Sequence, residues 1–118
     1  MTEALYFLGM AYNGLGQYDK SLATFDRLVS KNILLPGLYF QKGFAHYKLV
    51  QLESAEQAYR KSTQLEPNLA EAYFHLGLIR YQQKDLTGAL LWIEKALKIK
   101  PGHVPYQQAL SKIKNETA

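Results

Sequence analysis

Cysteine is absent from the 118 residues of the chain, so disulfide bonds and thiolate metal sites are excluded. No apolar run approaches the roughly 20 residues that a transmembrane helix needs. The start of the chain, MTEALYFLGM, lacks the basic segment and the small-residue cleavage site of a secretory signal, so we expect a cytoplasmic protein. Neither sign of charge dominates the sequence. The net charge of +4 permits an acidic partner without requiring one.

Sequence motifs for catalysis and for cofactor binding are also missing. The histidines, His46, His75 and His103, are far apart and show no zinc-binding spacing. The sequence has no phosphate-binding loop, no dinucleotide fingerprint and no strained turn that would present a serine nucleophile. We therefore expect a protein that is not an enzyme and that needs neither a cofactor nor a metal.

A glycine recurs in a position that is unfavourable for it. Gly9, Gly43 and Gly77 each interrupt a stretch that is otherwise helical, and they lie 34 residues apart. Because a glycine inside a helix costs about 1 kcal/mol relative to alanine, this recurrence indicates a repeated packing requirement. We expect each glycine to let the following helix approach closely, with small residues of that helix opposite it and large residues one turn further on.

The same period organises the rest of the chain. Three units of 34 residues cover 2–35, 36–69 and 70–103. Each unit contains two amphipathic stretches separated by a short polar break, which predicts an antiparallel pair of helices. Pro67 and Pro101 follow the second helices of the later units, where proline ends a helix, and Pro36 is expected to end the second helix of the first unit.

The tail, 104–118, also has helical periodicity. Pro105 lies near its start, and its apolar residues are Val104, Tyr106, Ala109, Leu110 and Ile113. We interpret the tail as a capping helix that covers the apolar edge of the last unit. The alternative is that it is the first helix of a fourth unit that has been cut off.

These repeated residues resemble the tetratricopeptide repeat family. Its pattern places a large apolar residue, a leucine, a glycine and an aromatic in the first helix, then alternates small and aromatic residues in the second helix before a proline. The matching residues are Leu5, Leu8, Gly9, Tyr12, Ser21, Phe25 and Leu28 in the first unit, Tyr39, Gly43, Ala55, Tyr59, Ser62 and Pro67 in the second, and Tyr73, Leu76, Gly77, Ala89, Ile93, Ala96 and Pro101 in the third. The chain departs from the pattern at Lys42, which replaces the leucine, and at His46 and Arg80, which replace the aromatic.

This resemblance implies an all-α fold. It would be one domain over 1–118, a right-handed α-solenoid of three antiparallel helix-pair repeats with a C-terminal capping helix. In the family, the first helices line a concave face that binds extended or helical peptides. The resemblance therefore implies a groove lined by Tyr6, Met10, Phe40, Gln41, Phe44, Tyr47, Lys48, Phe74, His75, Leu78, Tyr81 and Gln82. Aromatic and methionine side chains provide large and adaptable contact area, but the sequence leaves open that much of this stripe packs between neighbouring units.

We expect a non-catalytic module that binds a peptide segment or a helix of a protein partner. Chaperone adaptors of the family hold a terminal carboxylate with asparagines, lysines and an arginine. The matching positions here are Tyr6, Met10, Gln41, Glu71 and His75, which preserve none of these residue types, so we do not expect that clamp. The alternative function is self-association into a homo-oligomer through the same apolar surface.

Basic residues gather late in the chain, at Lys95, Lys98, Lys100, Lys112 and Lys114. We interpret them as a solvated face that is favoured by lysine near helix ends, and we expect neither nucleic acid nor a membrane as a partner. Trp92 is the one tryptophan of the chain. We expect it to pack against the tail or, alternatively, to mark a contact with another chain.

Overall fold

The computed structural model describes residues 1–117, which form seven α-helices and, within that range, no β-strand. The helices are α1 (Thr2–Gly14), α2 (Tyr18–Ser30), α3 (Leu38–Lys48), α4 (Leu52–Leu65), α5 (Ala70–Gln82), α6 (Leu86–Ile99) and α7 (Val104–Thr117). Ala118, the last residue of the predicted capping helix, lies outside the described residues. In the described part of the chain, no helix has the length and apolar character needed to span a bilayer.

The turns inside the three helix pairs are built alike. Each places one residue in the left-handed region, at Gly16, Val50 and Lys84, with φ of 76°, 58° and 64°. The residue after it donates its N–H to a carbonyl five positions back, over 2.8–2.9 Å. This 6→1 hydrogen bond satisfies one of the last carbonyls of the first helix, and it recurs with the 34-residue period of the sequence. The bonds join Gln17 to Tyr12, Gln51 to His46 and Asp85 to Arg80.

The structure divides into two compact units, 1–62 and 63–118, which differ from the three 34-residue units of the sequence. From here on, the first and second unit are these two, which we describe separately, and the 34-residue segments are called repeats. The core of the first unit is formed by Phe25, Leu28 and Leu38, all fully buried. Gly9 lies against the ring of Phe25. Gly43 lies against Tyr59 so closely that a Cβ atom on it would be 2.8 Å from the ring. The prediction of close helix approach at the glycines is thus confirmed here, but it is the large side chain of the second helix that takes up the space.

The second unit has two core clusters. Ala70, Ala96 and Tyr106 form one, and Ala89, Ile93 and Ile113 form the other. A Cβ atom on Gly77 would lie 2.7 Å from Ile93 Cγ1, as at the earlier glycines. Helix α7 contributes Tyr106 and Ile113 to the core, as a cap does, whereas Val104 at its start is 54% exposed.

The connection between α2 and α3 differs from the expectation. Helix α2 ends at Ser30, six residues before Pro36, and Asn32 then adopts a left-handed φ of 57°. The N–H of Ile33 bonds to Leu28 O over 3.1 Å, which closes the helix. The expected role of Pro36 was therefore wrong. It precedes Gly37, the N-cap of α3, so this helix begins at Leu38.

The three departures from the repeat pattern have local partners. Lys42 Nζ lies 3.0 Å from Asp26 Oδ1 on α2, and its stem is mostly buried. His46 Nδ1 lies 2.7 Å from Gln51 Oε1. Arg80 lies 4.0 Å from Asp85. Because Gln51 and Asp85 precede α4 and α6, the latter two departures join the first helix of a pair to the start of the second.

Candidate partner-binding surface

The predicted groove residues of the first unit form what we call the first-unit patch: Tyr6, Met10, Phe40, Gln41, Phe44, Tyr47 and Lys48. All are half-buried except Lys48, which is exposed. Tyr6 and Met10 pack against the core of this unit, and the Tyr6 ring lies 6.1 Å from that of Phe25. Part of the patch is therefore core.

The aromatic residues of α3 are held from behind by neighbouring helices. Phe40 meets Tyr59 of α4 edge to face, with ring centroids 5.5 Å apart. Phe44 meets Tyr18 of α2 in the same way at 6.1 Å, and Lys48 Nζ lies 5.5 Å from the centre of the Phe44 ring. These contacts fix the rings before any partner arrives, while Phe40 and Phe44 stay half-buried and not fully enclosed.

A buried asparagine joins the two first helices of this unit. Asn13 Nδ2 donates to the backbone O and the side-chain Oε1 of Gln41, over 3.1 and 2.9 Å, and Asn13 is only 5% exposed. Gln41, predicted to line the groove, therefore also fastens α1 to α3. The sequence signal for this role was weak: it was only that Asn13 occupies the position at which the later repeats have Tyr47 and Tyr81.

The second-unit patch consists of Phe74, His75, Leu78, Tyr81 and Gln82, on α5. Helix α7 covers part of it, because the Phe74 ring stacks on Tyr106 at 4.5 Å. Burial, and then the charge of Glu71, raises the pKa of Tyr106. His75 Nδ1 lies 2.8 Å from the backbone O of Glu71, which accepts a hydrogen bond in the tautomer that carries a proton on Nδ1.

Tyr81 connects α5 to the end of α7. Its Oη donates to Glu116 Oε1 over 2.8 Å, and Lys112 Nζ lies 5.6 Å from its ring centre. The hydrogen bond to this carboxylate is the main reason why the pKa of Tyr81 is raised above its usual 10.0. Tyr81, Gln82 and Glu116 also line an open cavity of about 520 Å³. Leu78 is half-buried and Gln82 exposed, so this end of the patch remains accessible.

The side chains of both patches are suited to non-covalent contact with another molecule. They offer aromatic and aliphatic area with a few amide, imidazole and ammonium groups at the edges. Over residues 1–117 no group of three or more metal-binding side chains occurs.

Comparison with known proteins gives the same repeat. A family model described as tetratricopeptide repeat matches residues 40–104, more than half of the chain, and a second model of that description matches 2–30. The protein O-mannosyl-transferase TMTC1 of Homo sapiens is 25% identical over 115 residues, which are 94% of this chain and 13% of that protein. The chain thus spans only a small part of this relative.

Solved structures show the fold. The first TPR of Spaghetti (RPAP3), bound to the HSP90 peptide SRMEEVD, superposes with a TM-score of 0.90 at 22% identity, covering 98% of this chain and 92% of that one. PcrH, in complex with the chaperone-binding region of PopD, gives a TM-score of 0.91 at 20% identity, with the same coverage of 98% and 92%. The predicted fold class, an all-α helical repeat solenoid, is confirmed, while its right-handed sense stays a prediction.

Proposed function

This chain belongs to the tetratricopeptide repeat family, and we propose that it is a non-catalytic protein-interaction module. Its partners are peptide segments or helices of other proteins, and the first-unit patch and the second-unit patch are each a binding surface of their own. The peptide-bound state of two proteins with the same fold supports this kind of partner. The chaperone-tail clamp is not part of the proposal, because its charged residue types are missing at the matching positions.

The observation that carries the proposal is that an aromatic side chain of the patch is already fixed in place and is not fully buried. Phe44 is held between Tyr18 and Lys48, yet it remains half-buried rather than enclosed. When a partner side chain packs there, this protein loses little conformational entropy, because the Phe44 ring is already fixed. Lys48 and Gln82, both exposed, give polar contacts at the edges of their patches.

The test is a peptide selection followed by binding measurements. Peptides of about 12 residues are selected from a display library on the immobilised chain, and the affinity of a labelled peptide is measured by fluorescence anisotropy. Phe44→Gln should weaken a peptide that binds at the first-unit patch at least about tenfold, and Leu78→Gln one that binds at the second-unit patch, because each change places an amide where apolar contact is expected. The control is Leu34→Gln, which makes the same chemical change at a residue that is 58% exposed outside the patches.

Equal losses for Leu34→Gln and Leu78→Gln would contradict the proposal, as would unchanged binding by both patch variants. Far-UV circular dichroism of each variant separates loss of binding from loss of helix. The double change Phe40→Ala with Phe74→Ala is a weaker test, because these rings pack on Tyr59 and Tyr106 and their removal also loosens the core.

A second candidate function is self-association, and one observation favours it. Within residues 1–117, an apolar stripe of α1 stays exposed, on a surface other than the groove predicted from the sequence: Phe7 is 63% and Leu8 is 42% exposed. The stripe runs with helical spacing through Ala4, Phe7, Leu8, Ala11 and Leu15, all exposed. At the matching positions of α3, Leu38 and Ala45 are fully buried, and α2 lies on this helix. A second copy that packs α1 against α1 would bury this stripe.

Sedimentation over a wide concentration range tests self-association. The wild-type chain should show a concentration-dependent sedimentation coefficient, and Phe7→Gln with Leu8→Lys should abolish it. These two changes install the residues that α3 has at the same repeat positions, Gln41 and Lys42. A wild-type chain that stays monomeric throughout would rule this function out and leave the peptide-binding proposal intact.

A further inference from the structure

A cleft of about 590 Å³ lies within the second unit, and none of its lining residues belongs to either patch. Its lining comes from α6, from the turn before it and from Arg80 on α5. The apolar part consists of Leu91 and Trp92, and Leu91 is 61% exposed. Exposed large apolar side chains that are grouped in a concave site often mark an interaction surface.

The repeat supplies an internal comparison for this cleft. A smaller cleft of about 300 Å³ occurs in the first unit. Its lining includes Gln57 and Ala58, which lie 34 residues before Leu91 and Trp92 in the sequence. The first repeat has Ala23 and Thr24 at these positions. Pairing of the two helices in a repeat therefore does not require a leucine and a tryptophan there. The third repeat alone therefore offers large apolar side chains at these positions of the cleft.

Trp92 is held as a preformed anchor. Its ring stacks on Tyr73 of α5, with centroids 6.0 Å apart and an interplanar angle of 29°. Lys95 Nζ lies 4.8 Å from the centre of the indole. The structure thus places Trp92 against α5, whereas the sequence led us to expect it against the tail or, alternatively, at a contact with another chain. A half-buried tryptophan with a fixed ring is the side chain most typical of binding hot spots.

The charges around the cleft favour an acidic ligand. Asp85 is engaged within the protein, since its carboxylate accepts the Gly88 N–H over 3.0 Å at the start of α6 and lies 4.0 Å from Arg80. Lys95 and Lys98 then face a single further carboxylate, that of Glu94, in the lining. The net charge of the cleft is positive, as is that of the whole chain, so negative side chains beside an apolar anchor would be attracted to it.

We propose that this cleft is a second interaction site, which binds a short acidic peptide segment of a partner protein that inserts a large apolar side chain beside Leu91 and Trp92. The two carboxylates of the lining and its concave form favour a peptide over an anionic membrane surface. This inference does not depend on the proposed function of the patches, because no residue lining the cleft belongs to them.

Intrinsic fluorescence tests the site, since Trp92 is the chain's one tryptophan and lies in it. The probe is the peptide acetyl-Asp-Glu-Leu-Leu-Glu-Asp-amide, and its counterpart has lysine in place of every acidic residue. The acidic peptide should change the Trp92 emission saturably, and the basic peptide should bind at least about tenfold more weakly. Raising the salt concentration from about 50 to 300 mM should weaken the acidic peptide several-fold.

Leu91→Gln installs the residue of the second repeat and keeps the fluorescent reporter. It should weaken the acidic peptide at least about tenfold, whereas Leu78→Gln in the second-unit patch should leave its affinity unchanged. The inference is overturned by no saturable change up to about 1 mM peptide, by equal affinity for both peptides, or by a response to Leu78→Gln and not to Leu91→Gln. A response to phosphatidylserine vesicles without one to the peptide would overturn it in favour of a membrane surface.

Discussion

Each glycine at the centre of a first helix faces a large side chain of the helix that follows. Gly43 meets Tyr59, and Gly77 meets Ile93. The missing side chain costs helix stability and is compensated by burial of the opposing residue, which is complete for Tyr59 and Ile93. The glycine and its large partner therefore act as one packing unit.

Replacing Gly43 by alanine should destabilise the protein despite the better helix propensity of alanine. A Cβ atom there would lie 2.8 Å from the Tyr59 ring, which is fully buried and has little room to move. We expect a loss of about 2 kcal/mol in the free energy of unfolding, typical of overpacking in a core. Urea denaturation measures it. Gly14→Ala is the matched control, because nothing lies within 4 Å of its Cβ position; an equal loss there would contradict the packing explanation.

Val50 carries backbone strain in an exposed turn. It has a left-handed φ of 58° although it is β-branched, and it is 71% exposed. Val50→Gly should therefore raise the free energy of unfolding by about 1 kcal/mol, since the left-handed region costs non-glycine residues about that much or more. Thermal unfolding should show a higher Tm than for Val50→Ala, which keeps a Cβ atom. A Tm below that of the wild type would mean that the turn is not strained.

Sequence patterns predicted the close helix approach at the glycines, because the period is visible in single residues, but they placed a small residue opposite each glycine where the structure has a large one. They did not predict the strain, since Val50 and Lys84 give no sign of a left-handed backbone except their alignment with Gly16. The partners of Lys42, His46 and Arg80 were also missed, because a polar replacement in an apolar pattern does not say which neighbour it meets.

Between elements, polar side chains join helices that apolar packing alone would only bring near. Asn13 fastens α1 to α3 through Gln41. Tyr81 fastens α5 to the end of α7 through Glu116. The sequence placed all of these helices in order but assigned Gln41 and Tyr81 only to a partner. Periodicity shows which face a residue occupies and not which neighbouring helix uses that face first.

Asn13→Ala should destabilise the first unit by about 1–3 kcal/mol, because it removes two hydrogen bonds at a buried site. Chemical denaturation of Asn13→Ala, of Gln41→Ala and of the double variant forms a double-mutant cycle. We expect a coupling energy of at least about 0.5 kcal/mol, as for residues in contact. Asn115→Ala, at an exposed position of α7, is the control. Strict additivity of Asn13→Ala and Gln41→Ala would show that the contact does not join the helices.

The stabilisation from the hydrogen bond between Tyr81 and Glu116 should be lost at alkaline pH. Because the hydrogen bond raises the pKa of Tyr81 above 10.0, its contribution is complete below the unfolded pKa and is lost as the pH rises through the folded pKa. The absorbance difference between wild type and Tyr81→Phe should titrate above pH 10.0. With Glu116→Ala in both proteins, the midpoint should fall. An unchanged midpoint would mean that the carboxylate does not set this pKa.

For the whole molecule, the 34-residue period predicted pairs of helices, and the family resemblance of the repeated residues implied the fold class, which the solved structures confirm. The single-domain organisation stays a prediction. The candidate surface was predicted less well than the fold. The structure assigns Tyr6, Met10 and Phe74 partly to core packing, and it places an exposed Leu91 on a face that the family pattern does not single out. Aromatic size alone cannot separate a side chain that waits for a partner from one that already has a partner within the chain.

The most direct test of the peptide-binding proposal is the location of a bound peptide. A peptide selected on the Leu91→Gln variant, whose α6 cleft is polar, is added to that variant labelled with ¹⁵N and ¹³C, and chemical-shift changes are mapped by NMR. The account predicts that the largest changes occur at accessible residues of the two patches, above all Phe44, Leu78 and Gln82. Changes confined to α2, α4 and α6, with those three residues unaffected, would contradict it.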